Sequence, residues 1–297
     1  KYSDTTCAPF DVLQRLIKEC HELIDYDREH EVVAIGVAVP GPYVRKRNRI
    51  VMMTGFRDWQ EVHIEEELRK EFQIKVYMEH DANVGALSYN WSLGANENRS
   101  LIYVAAGQGV GAGIIIGGEL FIGTTGTSGE IGHMSIAYDG PLCQCGNRGC
   151  LEKYCSSMAL TKSLNNKIRE GNYTILKEGC SFEDISDAVK QSDRLAVEEY
   201  EKACEKLSIG VVNLINAFNP DTIVIGDEIA AVDPELLLKT VQRITEERVL
   251  PEILEGTEII AGKEDNDEIL RGAGILAINE MLPDFLSGKR SLPEPEV

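Results

Sequence analysis

One imidazole and three thiols lie close together in this 297-residue chain and constrain its fold more than any other feature. They belong to His133, Cys143, Cys145 and Cys150, on a segment rich in glycine. Thiolates and an imidazole suit Zn²⁺ in a closed tetrahedral site, where four protein ligands leave no open position. The cluster therefore predicts a structural zinc ion, and its alternative is a group of buried free thiols. Disulfides are not expected, because a chain of this size can build a large core without them.

The hydrophobic pattern alternates between short apolar runs and amphipathic stretches, which is typical of an α/β fold. Strands are predicted within 32–42, 74–78, 101–106, 112–116 and 219–227, the third and fourth forming a hairpin with a glycine-rich turn. Helices are predicted over 11–25, 61–72, 82–93, 196–218, 234–247 and 268–282. The length predicts two lobes. These are an N-terminal α/β lobe over 1–100 and a C-terminal α/β lobe over 101–297, which contains the zinc loop 133–150.

Charge and hydropathy exclude several classes of protein. Hydrophobic residues make up 43 % of the chain, which excludes a disordered chain. No apolar run reaches the roughly 18–20 residues that span a bilayer, so no membrane partner is expected. The net charge of −19 repels phosphate backbones, so this chain is not expected to bind nucleic acid on its own. Its beginning has no signal-peptide pattern, and a cytoplasmic protein is expected.

The segment SGEIGHMSI and the following GPLCQCGNRGCLEKY resemble the signature of the ROK family, named for repressors, open reading frames and kinases. The likeness extends over AIGVAVPGP, EHDANVGAL, GQGVGAG and NPDTIVIGD. It implies an actin-like ATPase (ribonuclease H-like) fold of two lobes, with a sugar bound between them. It also implies assembly into homodimers or homotetramers, and zinc ligation by His133, Cys143, Cys145 and Cys150.

The same resemblance implies a set of sugar-binding residues whose chemistry suits hydroxyl groups. Glu130 and Glu152 are carboxylates, which can accept hydrogen bonds from adjacent sugar hydroxyls. His133 would bind zinc through one ring nitrogen and face the sugar with the other. Asp81 would be the general base in a kinase and can hold a sugar hydroxyl without catalysis. His80 stands where the family often has Asn and would bind the sugar as a donor or acceptor of a hydrogen bond. The alternative for Asp81 is a helix N-cap.

Several departures separate the chain from the family's kinases. The chain begins beyond the Asp-x-Gly-x-Thr hairpin that opens the kinase domain, and Gln108 stands where kinases have a threonine. Asp227 stands where they have a glycine beside the nucleotide, and a carboxylate there disfavours a polyanion. Residues 55–59 read Gly-Phe-Arg-Asp-Trp where the family often has Asn-Leu-Pro-Gly-Trp, so one sugar contact is lost or replaced. In a kinase, the phosphate loop would consist of Gly107, Gln108, Gly109 and Gly111.

The stretch from 104 to 136 and the segment LEKYCSSMAL resemble the family's xylose-repressor-type regulators more than its glucokinases. Such regulators carry an N-terminal winged helix-turn-helix, and this chain is expected to be a regulator without that DNA-binding head. The first hypothesis is therefore the sugar-sensing, oligomerising domain of a ROK transcriptional regulator. The alternative is an ATP- and Mg²⁺-dependent sugar kinase. A zinc-stabilised binding module without a sugar site is the third hypothesis.

Overall fold

The computed structural model describes residues 9–26, 29–50, 62–263 and 267–286, and its strands and helices alternate along the chain as expected for an α/β protein. The strands are β1 (Ala34–Val39), β2 (Tyr43–Val44), β3 (Arg49–Ile50), β4 (Lys75–His80), β5 (Leu101–Ala106), β6 (Val110–Ile116), β7 (Glu119–Leu120), β8 (Thr222–Gly226) and β9 (Glu258–Ala261). The helices are α1 (Pro9–Tyr26), α2 (Ile64–Phe72), α3 (Asp81–Ser92), α4 (Glu152–Cys155), α5 (Ser157–Arg169), α6 (Phe182–Lys190), α7 (Arg194–Phe218), α8 (Asp227–Val232), α9 (Pro234–Arg248), α10 (Pro251–Leu254) and α11 (Asp267–Leu286).

The first part of the chain is built on a parallel pair of strands. β1 pairs with β4 from Ala34 opposite Lys75 to Val39 opposite His80. Leu13 of α1 and Leu68 of α2 are buried in one apolar cluster with residues of both strands. Because α3 starts immediately after β4, the carboxyl end of this strand brings His80 and the following residue into one turn.

The second sheet has five strands in the order β7-β6-β5-β8-β9. β5 and β6 form the expected antiparallel hairpin, whereas β8 runs parallel to β5 and β9 runs parallel to β8. Parallel strands with cover on both faces read as continuous apolar runs, and all five residues of β8 are buried. The 25-residue helix α7 packs on α9 and contributes its apolar side to the main core cluster.

Helix α3 lies between the two sheets, and α11 packs beside it. α3 contacts β5 and β6 on one side, and α11 contacts α3, β1 and β4. Close approach requires glycine at Gly113 in β6, where a Cβ would overlap the carbonyl oxygen of Ala82. The last helix therefore packs against the first sheet, and the division of the chain at residue 100 stays a prediction. Within the described residues, no helix is both long and apolar enough to cross a bilayer.

The contact between α11 and α3 gives a stability prediction with a matched control on one helix. A Cβ at Gly272 would overlap the carbonyl oxygen of Val84, whereas a Cβ at Gly274 would have no neighbour within 4 Å. We expect Gly272→Ala to lower the free energy of unfolding by about 1–3 kcal/mol, because overpacking forces backbone shifts. Gly274→Ala should raise it by up to about 1 kcal/mol through helix propensity. Urea unfolding followed by circular dichroism measures both, and equal effects of the two variants would contradict this packing.

Candidate functional site

The predicted zinc ligands meet at one point. The ligand atoms of His133, Cys143, Cys145 and Cys150 all lie within 4.8 Å of one another. The Sγ of Cys143 is 3.7 Å from Nδ1 of His133, and the Sγ atoms of Cys145 and Cys150 are 3.7 Å apart. In a tetrahedral site with Zn–S bonds of about 2.3 Å, neighbouring sulfurs are about 3.8 Å apart. These two donor pairs are therefore close to the spacing of a tetrahedral site, and all four donors lie near enough to hold one ion.

The loop reaches this arrangement through short backbone pairings and glycine at a tight turn. Ser135 pairs with Cys150 in an antiparallel bridge, and the amide of Cys143 donates to the carbonyl of Asn147 over 2.8 Å. Gly149 has a φ of 67°, and a Cβ there would overlap the carbonyl oxygen of Ala137. A side chain at this position would push the two halves of the loop apart and separate the thiols.

Two of the thiols resist ionisation unless a cation is present. Burial, together with the neighbouring Glu152, raises the pKa of Cys143 to about 12. Burial also raises the pKa of Cys150. A metal ligand must be a thiolate, and a bound cation supplies the positive charge that stabilises it. His133, Cys143, Cys145 and Cys150 would hold Zn²⁺, which would cross-link the loop rather than activate water.

Beside the thiols, two carboxylates and an imidazole form a polar cluster. Glu152, the first residue of α4, is buried, and its Oε1 accepts a hydrogen bond from Cys143 Sγ over 3.1 Å. Its Oε1 is also 3.8 Å from Nδ1 of His133. Nε2 of His133 points the other way and lies 4.0 Å from Oε2 of Glu130. The imidazole thus turns one nitrogen to the thiols and the other to a carboxylate.

The end of β4, the start of α3, the 3₁₀ helix Ile131–His133 with the residue before it, and the start of α4 all lie at this cluster. Burial raises the pKa of Glu130. The charges of Asp81 and Glu152 add to this rise, whereas those of His80 and His133 oppose it. The other four predicted sugar-binding residues therefore all act electrostatically on Glu130. The cluster combines hydrogen-bond acceptors with two imidazoles, a composition suited to a ligand with many hydroxyl groups.

Asp81 is the first residue of α3, and His80 occupies the N-cap position without a capping hydrogen bond from its side chain. The helix therefore begins one residue earlier than predicted, and its N-cap is His80 and not Asp81. Oδ1 of Asp81 accepts a hydrogen bond from the amide of Ala82 over 2.7 Å and lies 3.2 Å from Nε2 of His80. About a third of the Asp81 side chain is exposed, at 32 %, so the carboxylate can reach a ligand.

A buried carboxylate beneath the site was not singled out from the sequence. Glu79 is 1 % exposed, and its Oε1 accepts hydrogen bonds from the amide of His80 over 2.8 Å and from Asn83 over 3.0 Å. Nε of Arg45 is 3.6 Å from Oε2 of Glu79, and the same guanidinium donates to Glu280 of α11. The sequence predicts that the strand ends at residue 78 and that Glu79 begins the turn, whereas β4 extends to His80 and buries Glu79. Glu79 fixes the turn that carries His80 and Asp81.

The glycine-rich hairpin lies opposite a second carboxylate. A Cβ at Gly107 would overlap the carboxylate of Asp227, the first residue of α8. Burial raises the pKa of Asp227 to about 7, and the charges of Asp81 and Glu228 add to the rise. Asp227 also has a φ of 72°, a backbone conformation that favours glycine. Glycine would adopt this backbone conformation without strain. The chain instead has Asp227 there, and its carboxylate faces the hairpin.

The remaining residues of the predicted phosphate loop can be located in the structure, whereas the segment with the altered sugar contact cannot. Gly111 lies beside the polar cluster, since a Cβ there would come within 3.0 Å of Cε1 of His80. Gln108 follows Gly107 in the turn between β5 and β6. The segment 55–59, where the sequence suggested an altered sugar contact, lies outside the described residues.

Comparison with known proteins adds relatives of two kinds. The xylose repressor of Caldicellulosiruptor bescii is 30 % identical over 281 residues, which cover 92 % of this chain and 68 % of that protein. A crystal structure of a ROK family transcriptional regulator, homolog of the E. coli MLC protein, superposes with a TM-score of 0.75 and 26 % identity, covering 90 % of this chain and 68 % of that one. This chain spans 62–68 % of the length of the xylose repressors that it matches.

The fold is equally shared with sugar kinases. The structure of a ROK family glucokinase from Streptomyces griseus in complex with glucose and AMPPNP superposes with a TM-score of 0.75 and 25 % identity, covering 90 % of this chain and 88 % of that one. These likenesses confirm the mixed α/β fold and leave both a regulator and a kinase as models for this chain. The profile of the ROK family matches residues 3–280. The chain belongs to the ROK family.

Proposed function

We propose that this chain is the sugar-sensing and oligomerising domain of a ROK-family transcriptional regulator. A sugar or sugar derivative would bind between two actin-like lobes, residues 1–100 and 101–297. Its ligands would be His80, Asp81, Glu130, His133 and Glu152. DNA would be bound only through a separate N-terminal head, and the assembly would be a cytoplasmic homodimer or homotetramer.

The observation that carries this proposal is the carboxylate of Asp227 against Gly107 in the glycine-rich hairpin. In a kinase of this family the corresponding hairpin would receive the phosphates of ATP. Burial, together with the charges of Asp81 and Glu228, raises the pKa of Asp227 to about 7, so above this pH a polyanion would meet a carboxylate of its own sign. A neutral sugar meets no such repulsion, and the polar cluster can bind it without a nucleotide.

Zinc fits this function as a positioning device. If the ion binds Nδ1 of His133, Nε2 is left to face Glu130, 4.0 Å away, and the ring cannot rotate. Zinc binding would remove the proton that Cys143 donates to Glu152, so Oε1 of Glu152 would be left to accept a hydrogen bond from the sugar. The zinc ion would therefore set the orientation of one sugar ligand, His133, without itself touching the sugar.

Sugar binding would act on DNA through linkage. A sugar that binds the closed arrangement of the lobes better than the open one shifts the equilibrium by that difference in affinity. The xylose repressors among the relatives support a regulator, and their greater length supports a further segment in the whole protein. Both are expectations about this chain, as are its DNA contact and oligomeric state.

An ATP-dependent sugar kinase is the alternative, and one observation favours it. Asp81 stands partly exposed at the start of α3 with His80 beside it, a position from which a carboxylate can take a proton from a sugar hydroxyl. ATP and Mg²⁺ would then bind along Gly107, Gln108, Gly109 and Gly111. A zinc-stabilised module that binds no sugar is the third reading, and a negative sugar titration would favour it.

The role of Asp227 can be tested by giving the chain the glycine of the kinases. We expect Asp227→Gly to bind Mg·ATP at least tenfold more tightly than the unchanged chain, because a like charge and a side chain leave the hairpin. Isothermal titration calorimetry measures the affinity. Asp187→Asn on the exposed side of α6 controls for net charge. Equal affinity of the unchanged chain and Asp227→Gly would remove the argument against a kinase.

A further inference from the structure

Arg45, the first residue of the 3₁₀ turn Arg45–Arg47, lies where three separate parts of the chain meet. Its Nε is 3.6 Å from Oε2 of Glu79 in β4, and its Nη2 donates a hydrogen bond to Oε1 of Glu280 in α11 over 2.7 Å. A Cβ added at Gly126 would lie 3.3 Å from Cβ of Arg45, so the loop that leads to Glu130 packs against the same residue. Arg45 therefore connects β4, α11 and a loop of the predicted sugar site.

The two carboxylates that Arg45 contacts differ in their exposure to solvent. The side chain of Glu79 is 1 % exposed, whereas that of Glu280 is 37 % exposed. Removing one partner of a buried ion pair leaves an uncompensated charge in the interior, which is strongly unfavourable. A partly exposed carboxylate is solvated by water and depends little on its partner. The charge of Arg45 is therefore needed at Glu79, and Glu280 holds the guanidinium in place.

Glu79 connects Arg45 to the predicted sugar ligands. Oε1 of Glu79 accepts hydrogen bonds from the amide of His80 over 2.8 Å and from Nδ2 of Asn83 over 3.0 Å. Its other oxygen, Oε2, faces Arg45. The two donors and the guanidinium thus act on different oxygens of one carboxylate, which fixes its orientation. Asp81 lies in the turn between the two donors, with Oδ1 3.2 Å from Nε2 of His80.

We propose that Arg45 is a positioning residue of the sugar site, which sets the orientation of Glu79 and through it that of His80 and Asp81. The inference rests on the proposed function, since it assumes that His80 and Asp81 bind a sugar. Side chains that bind a ligand keep their geometry only when the residues behind them are fixed by packing and hydrogen bonds. Arginine suits this position because its planar guanidinium presents several donors at fixed angles and can contact two carboxylates at once.

Sugar affinity gives the first test, by calorimetric titration of the zinc-loaded chain with D-xylose and with D-glucose. We expect Arg45→Gln to weaken binding of the sugar that the unchanged chain takes by at least tenfold. Arg45→Lys should weaken it less, because the positive charge remains. Arg47→Gln is the matched control in the same turn, since Arg47 is exposed, and its affinity should equal that of the unchanged chain. Equal affinity of Arg45→Gln and the unchanged chain would overturn the proposal.

A double variant separates the lost ion pair from general damage to the fold. Glu79→Gln keeps an oxygen that can accept from His80 and Asn83, and it leaves no buried charge to compensate. In the Glu79→Gln background, Arg45→Gln should weaken sugar binding less than threefold, against at least tenfold in the unchanged background. An equal loss in the two backgrounds would mean that Arg45 does not act through Glu79, which would also overturn the proposal.

Hydrogen exchange tests the positioning without a sugar. Followed by mass spectrometry of peptides over 76–84, exchange should be at least threefold faster in Arg45→Gln, because the acceptor of the His80 amide is no longer fixed. Exchange in α7 should stay unchanged, as should exchange over 76–84 in Arg47→Gln. Unchanged exchange over 76–84 in Arg45→Gln would overturn the role of Arg45. A chain that binds neither sugar would contradict the proposed function, and the exchange rates would still decide whether Arg45 positions the turn.

Discussion

Replacing Cys145 by serine is expected to release the zinc ion and to lower the free energy of unfolding by at least about 3 kcal/mol, because a structural zinc ion contributes binding energy to folding. For a chain of this size that corresponds to a fall in Tm on the order of 5–10 °C. Cys145 is exposed, so the substitution by itself leaves no cavity in the core. Metal content by mass spectrometry and thermal unfolding by circular dichroism measure the two effects.

The control for Cys145→Ser is Cys20→Ser on α1, a partly exposed cysteine far along the chain from the cluster. It should retain zinc and change the free energy of unfolding by less than about 0.5 kcal/mol. If Cys145→Ser keeps a full equivalent of zinc and an unchanged Tm, the four-ligand site is wrong. Zinc loss without a change in stability would contradict only the structural role of the ion.

Glu130→Gln is expected to weaken sugar binding by about 10- to 100-fold while zinc stays in place. The substitution keeps the shape of the side chain and removes the charge that strengthens its hydrogen bonds, which are worth about 1.5–3 kcal/mol. Glu130 lies 4.0 Å from His133 and carries a pKa raised by burial, so it is close to the zinc site without being one of its ligands. Calorimetric titration with sugar and metal analysis of the same sample separate the two roles.

Glu119→Gln is the matched control, because it removes the same charge from an exposed position on β7. Its sugar affinity should equal that of the unchanged chain. Glu130→Ala should lose at least as much affinity as Glu130→Gln, since it removes the acceptor as well as the charge. Unaltered sugar affinity in both Glu130 variants would mean that the pocket has been placed in the wrong part of the molecule.

Much of the fold follows from patterns that the sequence displays directly. The β5–β6 hairpin was predicted from two apolar runs around glycines, and the structure pairs Leu101 with Ile115 in antiparallel register. The start of α3 at Asp81 and its end at Ser92 are close to the predicted helix over 82–93. These elements are set by local periodicity and by glycine, which short-range rules describe well.

The contacts beneath the site could not be predicted, because they join positions far apart in the chain. Arg45 reaches Glu79 and Glu280, and nothing in the sequence near Arg45 indicates which acids it meets. The packing of α11 on the first sheet likewise depends on how the whole chain closes.

The zinc ligands are close together in the sequence, whereas the predicted sugar ligands are far apart in it. His133 and the three cysteines lie within one loop, so their spacing alone indicated a metal site, and the structure brings their ligand atoms within 4.8 Å. The predicted sugar ligands come from the end of β4, the start of α3, a 3₁₀ helix with the residue before it, and α4, and only the family resemblance suggested that they act together. Their assignment stays a prediction until a sugar is bound.

The most direct test of the proposed sensor follows sugar binding and phosphoryl transfer in one preparation of the zinc-loaded chain. D-xylose and D-glucose are titrated calorimetrically, and the same protein is incubated with each sugar, Mg²⁺ and ATP labelled in the γ-phosphate. A sensor binds at least one sugar, with an affinity that Glu130→Gln reduces, and forms no labelled sugar phosphate. Labelled sugar phosphate that increases with protein concentration and disappears in Asp81→Asn would identify a kinase and contradict the proposal.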